Sequence, residues 1–112
     1  MAGQESPADL LAAERTAAIE RIAGLERDVA AIIESASAGV DDEHDPEGST
    51  LAFERQHAAA LLTQARQQLA GVDAAFARIA DGSYGRCASC GDPIAQPRLA
   101  ARPAATTCIR CA

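Results

Sequence analysis

The chain has 112 residues, a formal net charge of −6 at neutral pH, and one tyrosine, two phenylalanines and no tryptophan. A chain this short and this poor in aromatic side chains buries only a thin core, so we expect an extended shape, a bound metal, or both. The negative charge disfavours a general nucleic-acid binder, because neutralising phosphates supplies most of the non-specific affinity for nucleic acids.

The first residues carry no targeting signal. Residues 1–9 contain neither the basic segment nor the apolar segment of a secretory signal peptide. No stretch of the sequence approaches the apolar length needed to span a bilayer. We therefore expect a cytoplasmic protein without a membrane partner.

A first long helix is predicted to begin at Ser6. Ser6 can cap the helix, Pro7 suits the first helical position, and Asp9 lies where the acid of a capping box would lie. Small and apolar residues then recur at alternating three- and four-residue steps, which is typical of a coiled-coil seam, with Arg15 in one slot. The seam residues are Leu11, Ala18, Ile22, Leu25, Val29, Ile32 and Ala36.

The segment between the two predicted helices, residues 40–48, is strongly acidic. Five acids and no arginine or lysine fall between Asp41 and Glu47. Turn chemistry and the dipole of the following helix explain two or three of these acids, but they do not require five carboxylates that repel one another. Two interpretations are open: a solvated charged turn, or a tip that inserts its acids into a basic or metal-containing site of a partner.

A second long helix is predicted to begin near Ser49 or Thr50 and to end at Asp81, with Gly82 in the left-handed conformation that stops a helix. Its seam residues are interpreted as core, like those of the first helix, and many are alanine, which predicts close helix approach and modest burial. They are Ala58, Leu62, Ala65, Leu69, Val72, Phe76 and Ile79.

The short connection makes the two helices antiparallel neighbours. Residues 6–82 are therefore predicted to form a coiled-coil hairpin on the order of 45 Å long, given the 1.5 Å rise per residue of a helix. The predicted fold class is mainly α, with the hairpin tip at residues 40–48. A small head, residues 83–112, completes the chain.

The head contains all four cysteines, arranged as two CxxC pairs. Cys87 and Cys90 form the first pair, Cys108 and Cys111 form the second, and seventeen residues separate them. This spacing lets each pair bind one ion from a tight turn, and Gly91 can take the positive φ that such a turn often needs. The pattern predicts a four-cysteine site for one structural zinc ion.

Two other interpretations of the cysteines are weaker. A redox CxxC motif normally lies in a βαβ context, which this sequence lacks, and a pair of disulfides would require a secretory context. A zinc ion with four protein ligands has no open position for water. We therefore expect the metal to stabilise the fold, and we do not expect an enzyme.

Four motifs surround the cysteines in order: GxYGxC ending at Cys87, CxxCG ending at Gly91, RLxARP from Arg98 to Pro103, and the final CxxC. In order and spacing they resemble the zinc-finger signature of the DksA/TraR family. The motifs cover about the last third of the chain directly. A coiled-coil hairpin with an acidic tip extends the resemblance over nearly the whole sequence.

The resemblance implies a transcription factor that binds RNA polymerase directly, without sequence-specific DNA binding, and inserts its tip through the secondary channel to modulate initiation. Members of the family carry a DxxDxA motif at the tip. Asp42 and Asp45 match its two aspartates, and Glu47 replaces the alanine. Arg98 and Arg102, between the cysteine pairs, are candidates for contacts with the polymerase or with the head, and ion pairs with helix acids explain them equally well.

The best-known members also bind the alarmone ppGpp through a lysine on the second helix, the arginine of ARP and a lysine just after the last cysteine. At these positions this chain has Gly71, Arg102 and Ala112. Only the arginine is retained, so the resemblance does not carry ppGpp binding over to this chain. A monomer is expected.

Two further functions stay open at this point. The chain could be a Gre-like factor that brings carboxylates to the catalytic magnesium of a backtracked polymerase and promotes transcript cleavage. Alternatively, it could be a helical-hairpin adaptor for another protein, with zinc only stabilising the head.

Overall fold

A computed structural model of the chain describes residues 5–38 and 46–112, with side chains for residues 5–36 and 50–112. Its helices are α1 (Pro7–Ala38), α2 (Pro46–Asp81) and the short α3 (Gln96–Ala101). The described residues contain no strand, only an isolated antiparallel bridge between Arg86 and Pro93. The predicted mainly α fold with two long helices is therefore confirmed. Within the described ranges, no helix is long and apolar enough to cross a membrane.

Helix α1 begins where its capping residues predict. The Ser6 hydroxyl accepts a hydrogen bond from the backbone N–H of Asp9 at 3.1 Å, and the Ser6 carbonyl accepts from Leu10 at 3.0 Å. Pro7, which has no N–H to leave unpaired, occupies the first helical position. The predicted N-cap is therefore confirmed.

Helix α2 begins earlier than predicted. Its first residue is Pro46 rather than Ser49 or Thr50, and the prediction was wrong because Pro46 was assigned to the turn although proline is well suited to a first helical turn. The predicted end is confirmed: Gly82 has a φ of 84°. The N–H of Ser83 donates to the carbonyl of Arg78 at 3.0 Å, which closes a Schellman-type cap.

The chain divides into two compact units. The first comprises the residues up to Ala17 together with Gln68–Ala112, so the start of α1 packs against the end of α2. Its helical core consists of three fully buried residues with three partly buried ones against them. They are Leu11, Val72 and Ala75, and then Phe76, Tyr84 and Ala104.

A second small core lies inside the head. It consists of Cys87, Ile94, Leu99 and Cys108. Tyr84 packs against both cores of this unit, and its hydroxyl donates to the carbonyl of Pro103 at 2.7 Å. Burial raises the pKa of this phenol, which keeps it in the donating form. Tyr84 therefore fastens the head to the helices.

The second unit, Ala18–Gln67, contains the remainder of the two long helices. Among its described side chains, three of the four buried apolar residues are alanines, namely Ala18, Ala58 and Ala65, and the fourth is Leu62. A buried methyl group contributes only about 0.8 kcal/mol, so this seam gains little from apolar burial. The exposed ion pair between Arg66 and Glu26, 3.0 Å long, adds at most about 1 kcal/mol.

The predicted seam is correct at six buried positions: Leu11, Ala18, Ala58, Leu62, Ala65 and Val72. It is wrong at Ala36, which is exposed. It is also wrong at Ile79, which is 36% exposed. Ile79 lies one turn beyond Ala75 and is not part of the cluster around Leu11. Ala75 is fully buried, although the predicted seam did not include it.

The polar slot in the first seam also has a structural explanation. Arg15 extends to α2, where its Nε atom donates to the Oδ1 atom of Asp73 at 2.8 Å. Both side chains are about half exposed, so the pair remains solvated. At this seam position the two helices are therefore linked by a solvent-exposed ion pair between Arg15 and Asp73 and not by an apolar contact.

Candidate metal centre

The four cysteines converge on one point in the head. Their Sγ atoms all lie within 4.8 Å of one another, and those of Cys90 and Cys108 are 3.7 Å apart. A tetrahedral zinc ion with Zn–S bonds of about 2.3 Å requires sulfurs about 3.8 Å apart. All four are free cysteines, not disulfides. The donor set therefore fits a tetrahedral zinc ion.

Tight turns aim each pair of sulfurs inward. In the first turn, the N–H of Gly91 donates to the carbonyl of Cys87 at 3.0 Å, and Gly91 takes the predicted positive φ of 78°. In the second turn, the N–H of Cys111 donates to the carbonyl of Cys108 at 3.0 Å. The CxxC spacing thus produces the same local geometry twice.

The loop between the pairs is held by backbone hydrogen bonds. The N–H of Ala88, inside the first pair, donates to the carbonyl of Thr106 at 2.7 Å. The N–H of Ile94 donates to the carbonyl of Gly85, also at 2.7 Å. The bond from Ala88 to Thr106 brings the segment before the second pair alongside the first pair, which local spacing alone cannot specify.

The protonation of the thiols is uneven. Backbone hydrogen bonds from Cys108 and Cys90 lower the pKa of the Cys87 thiol to about 6, which favours the thiolate that binds metals. Hydrogen bonds with the neighbouring cysteines, chiefly Cys108, raise the pKa of Cys111 to about 12. Four converging thiolates repel one another, and a divalent cation relieves that repulsion by taking the place of the protons.

An ion pair that the sequence did not reveal joins the two turns. The Nη2 atom of Arg110, inside the second CxxC, donates to the Oδ2 atom of Asp92 at 2.7 Å. The carbonyl of Asp92 also accepts the N–H of Cys87 at 2.8 Å. The sequence indicates this ion pair only weakly, through one acid and one base that each lie within two residues of a cysteine. Their pairing depends on how the loop returns.

Arg98 lies on α3 and Arg102 directly follows that helix as its C-cap, both between the cysteine pairs. Arg98 is partly buried, and its Nε atom donates to the carbonyl of Thr107 at 2.8 Å. Both arginines line a cavity of about 360 Å³ together with Glu14 and Gln68. Neither arginine forms an ion pair with a helix acid among the described residues. Arg98 thus braces the head through a carbonyl. Contacts of either arginine with a polymerase stay a prediction.

The acidic tip cannot be placed in the same way. Asp42 and Asp45 lie outside the described residues. Glu47 belongs to the first turn of α2, and its side chain is also outside the described part. The role assigned to these three acids stays a prediction.

Comparison with known proteins supports the metal site and the fold. Residues 82–112 match the family described as the prokaryotic dksA/traR C4-type zinc finger. The chain is similar to the structure of the transcription factor DksA2 from Pseudomonas aeruginosa, with a TM-score of 0.71 and 31% identity, covering 91% of this chain and 74% of that one.

Two curated proteins from strains of Caulobacter vibrioides, each named RNA polymerase-binding transcription factor DksA, are 43% identical over 58 residues. That match spans 50% of this chain and 41% of the length of those proteins.

The geometry and the C4-type match lead to one conclusion about the metal. Cys87, Cys90, Cys108 and Cys111 hold one structural zinc ion. Because all four coordination positions are filled by thiolates, the ion cross-links the two turns of the head and offers no position for a substrate.

Proposed function

The chain belongs to the DksA/TraR family, and we propose that it is a transcription factor that binds RNA polymerase directly. The observation that carries the proposal is the similarity to DksA2, which spans 91% of this chain and is not restricted to the zinc finger. The names of the Caulobacter relatives, which specify RNA polymerase binding, support the same partner.

The proposed mechanism separates docking from action. The head and the helix ends of the first unit hold the protein on the polymerase, while the tip enters the secondary channel and modulates initiation near the active site. The five acids between Asp41 and Glu47 support this role, because turn chemistry does not require so many neighbouring carboxylates. Asp42, Asp45 and Glu47 are the acids assigned to the tip.

The charge of the protein supports a protein partner over DNA. Residues 1–81 carry fifteen acids and six arginines, so most of the chain repels phosphate. The proposal therefore includes no sequence-specific DNA contact. It also includes no ppGpp site, since only Arg102 of the three family positions is retained. The protein is proposed to act on the polymerase as a cytoplasmic monomer.

Binding to purified core RNA polymerase tests the proposal. We expect the zinc-loaded protein to bind core polymerase in the absence of DNA, measured by competition or by fluorescence anisotropy. Duplex DNA of mixed sequence at physiological salt is the control, and it should show no tight binding. Tight binding to duplex DNA without polymerase would contradict the proposal.

The role of the tip acids is tested by replacing carboxylates with amides, which removes the charge and keeps the size of the side chain. Asp42→Asn combined with Asp45→Asn should abolish the effect on transcription from a short-lived open complex while leaving polymerase affinity within a few-fold. A matched control is Asp28→Asn with Glu34→Gln, which removes two exposed carboxylates from α1.

Three other results would each contradict the proposed role of the tip. Unchanged regulation by the tip variant would mean a solvated turn, and lost binding would mean that the tip is an anchor. Shortening of the transcript in stalled complexes would instead indicate a Gre-like cleavage factor.

A further inference from the structure

Charge is strongly segregated along this chain. Residues 82–112 carry four arginines and a single acid, Asp92, whereas the rest of the chain carries fifteen acids and six arginines. The finger segment is therefore positive on an otherwise negative protein. Such a reversal of sign steers and orients a partner of opposite charge.

One face of this positive segment is an apolar groove. It has a volume of about 550 Å³, and Pro93, Ala95, Pro97, Ala101 and Ile109 contribute apolar surface to it. The Ile109 side chain is 78% exposed, more than any other large hydrophobic residue in the described part of the chain. Because Ile109 lies between two zinc ligands, its backbone is held in place before any partner arrives.

Three arginines also line the groove, and they are not equivalent. Arg98 already donates to the Thr107 carbonyl, and Arg110 is paired with Asp92. Arg102 is exposed, and no side-chain hydrogen bond or ion pair forms at its guanidinium among the described residues. Its planar donors are therefore available to a carboxylate.

We propose that this groove is a docking surface for an acidic protein segment that carries an apolar anchor side chain. The anchor packs on Ile109 and the neighbouring prolines and alanines, and a carboxylate of the same segment pairs with Arg102. The proposal rests on the proposed function in one respect, since it places the acidic segment on RNA polymerase.

The groove suits a protein better than a phosphate backbone. Phosphate binding needs several converging donors, but the apolar residues that line the groove supply no charged donor, and two of its three guanidiniums are already engaged. A protein segment satisfies both parts of the surface, because a central apolar contact with a charged rim is the usual arrangement of a specific interface.

The test measures equilibrium binding of the full-length, zinc-loaded chain to purified core polymerase. Ile109→Ser and Arg102→Gln are each expected to weaken binding about tenfold, the size of a moderate interface hot spot. Ile33→Ser and Arg21→Gln are the matched controls, because both residues are exposed on α1 in the second unit. The controls should bind within about twofold of the wild type.

Zinc content and helical ellipticity are measured for every variant. Because Ile109 and Arg102 are exposed, both quantities should stay at wild-type values, so that weaker binding reports the surface and not the fold. The affinity of the wild type should also fall with added salt more steeply than that of Arg102→Gln, since one ion pair is lost in the variant.

The outcomes separate the two proposals. If the wild type binds polymerase and both groove variants bind equally well, the docking surface is wrong and the proposed function stands. If the wild type does not bind polymerase, the proposed function fails, and the polymerase assignment of the groove fails with it. If the groove variants instead lose binding to duplex DNA, the surface is a phosphate site, which overturns the inference.

Discussion

The zinc finger and the second unit solve the same problem of a small core in different ways. The finger, residues 82–112, relies on four thiolates and on side chains that donate to backbone carbonyls, such as Tyr84 to Pro103 and Arg98 to Thr107. The second unit relies on two long helices that meet along an alanine-rich seam. In the finger, metal coordination and directed hydrogen bonds therefore supplement a small apolar core, whereas the second unit depends on the long contact between its helices.

The largest expected effect comes from breaking the metal site. Cys90→Ser should abolish stoichiometric zinc binding and unfold the finger, because a structural zinc ion contributes on the order of 10 kcal/mol to the folding of such modules. The helices should largely persist, since α1 and α2 contain 32 and 36 residues. Zinc content by mass spectrometry and ellipticity at 222 nm measure the two quantities.

Ser89→Ala is the control for this variant, because Ser89 is exposed in the same turn and is not a ligand. It should keep one zinc per chain. Full zinc retention by Cys90→Ser would contradict the four-cysteine site. Complete loss of helix would mean that the two long helices do not fold without the zinc-loaded finger.

A smaller effect should distinguish the helical cores of the two units. Leu11→Ala should lower the free energy of unfolding by about 4 kcal/mol and Leu62→Ala by about 2 kcal/mol, within the usual range for buried leucines. Leu11 is fully buried in a cluster with Val72 and Ala75, against which Phe76 and Tyr84 also pack. Leu62 is 8% exposed, and the other buried residues described in its unit are alanines.

Urea unfolding of the zinc-loaded proteins, followed at 222 nm, compares the two variants. The exposed alanine Ala60 provides a control, because Ala60→Ser removes no buried surface and should shift the midpoint little. An equal or larger loss for Leu62→Ala would show that the alanine seam is as well packed as the first unit.

The smallest expected effect concerns the ion pair that joins the two zinc turns. Asp92→Asn should accelerate zinc release to a chromogenic chelator a few-fold without changing the stoichiometry, because interactions behind the ligands stabilise the metal site. Both members are more than half exposed, so the effect should shrink at high salt. Asp73→Asn, which breaks the comparably exposed pair with Arg15, is the control and should leave zinc release unchanged.

Features that depend on a few consecutive residues could be predicted from the sequence. The Ser6 cap, the left-handed Gly82 and the ligand pairs Cys87/Cys90 and Cys108/Cys111 are all confirmed or consistent with the geometry. Each is governed by hydrogen bonds or bond reach within about five residues, so the sequence spacing already contains the geometry.

Features that depend on how distant segments meet were decided only by the tertiary structure. Burial of Ala75 and exposure of Ile79 depend on where α1 begins alongside α2. The contact of Tyr84 with Pro103 and the pair between Asp92 and Arg110 form only after the loop between the cysteine pairs has folded back.

The sequence by itself thus determined the existence of the two long helices, the Ser6 and Gly82 caps and the identity of the metal ligands, because periodicity and spacing act locally. The tertiary structure decided which seam positions are buried, what Arg98 contacts, and that Ile109 and Arg102 share one groove. The physical reason is that the burial and the partners of a side chain depend on segments that are distant in sequence and fold back against it. The path of those segments is set by the sum of many weak contacts and by the metal that closes the loop between the cysteine pairs.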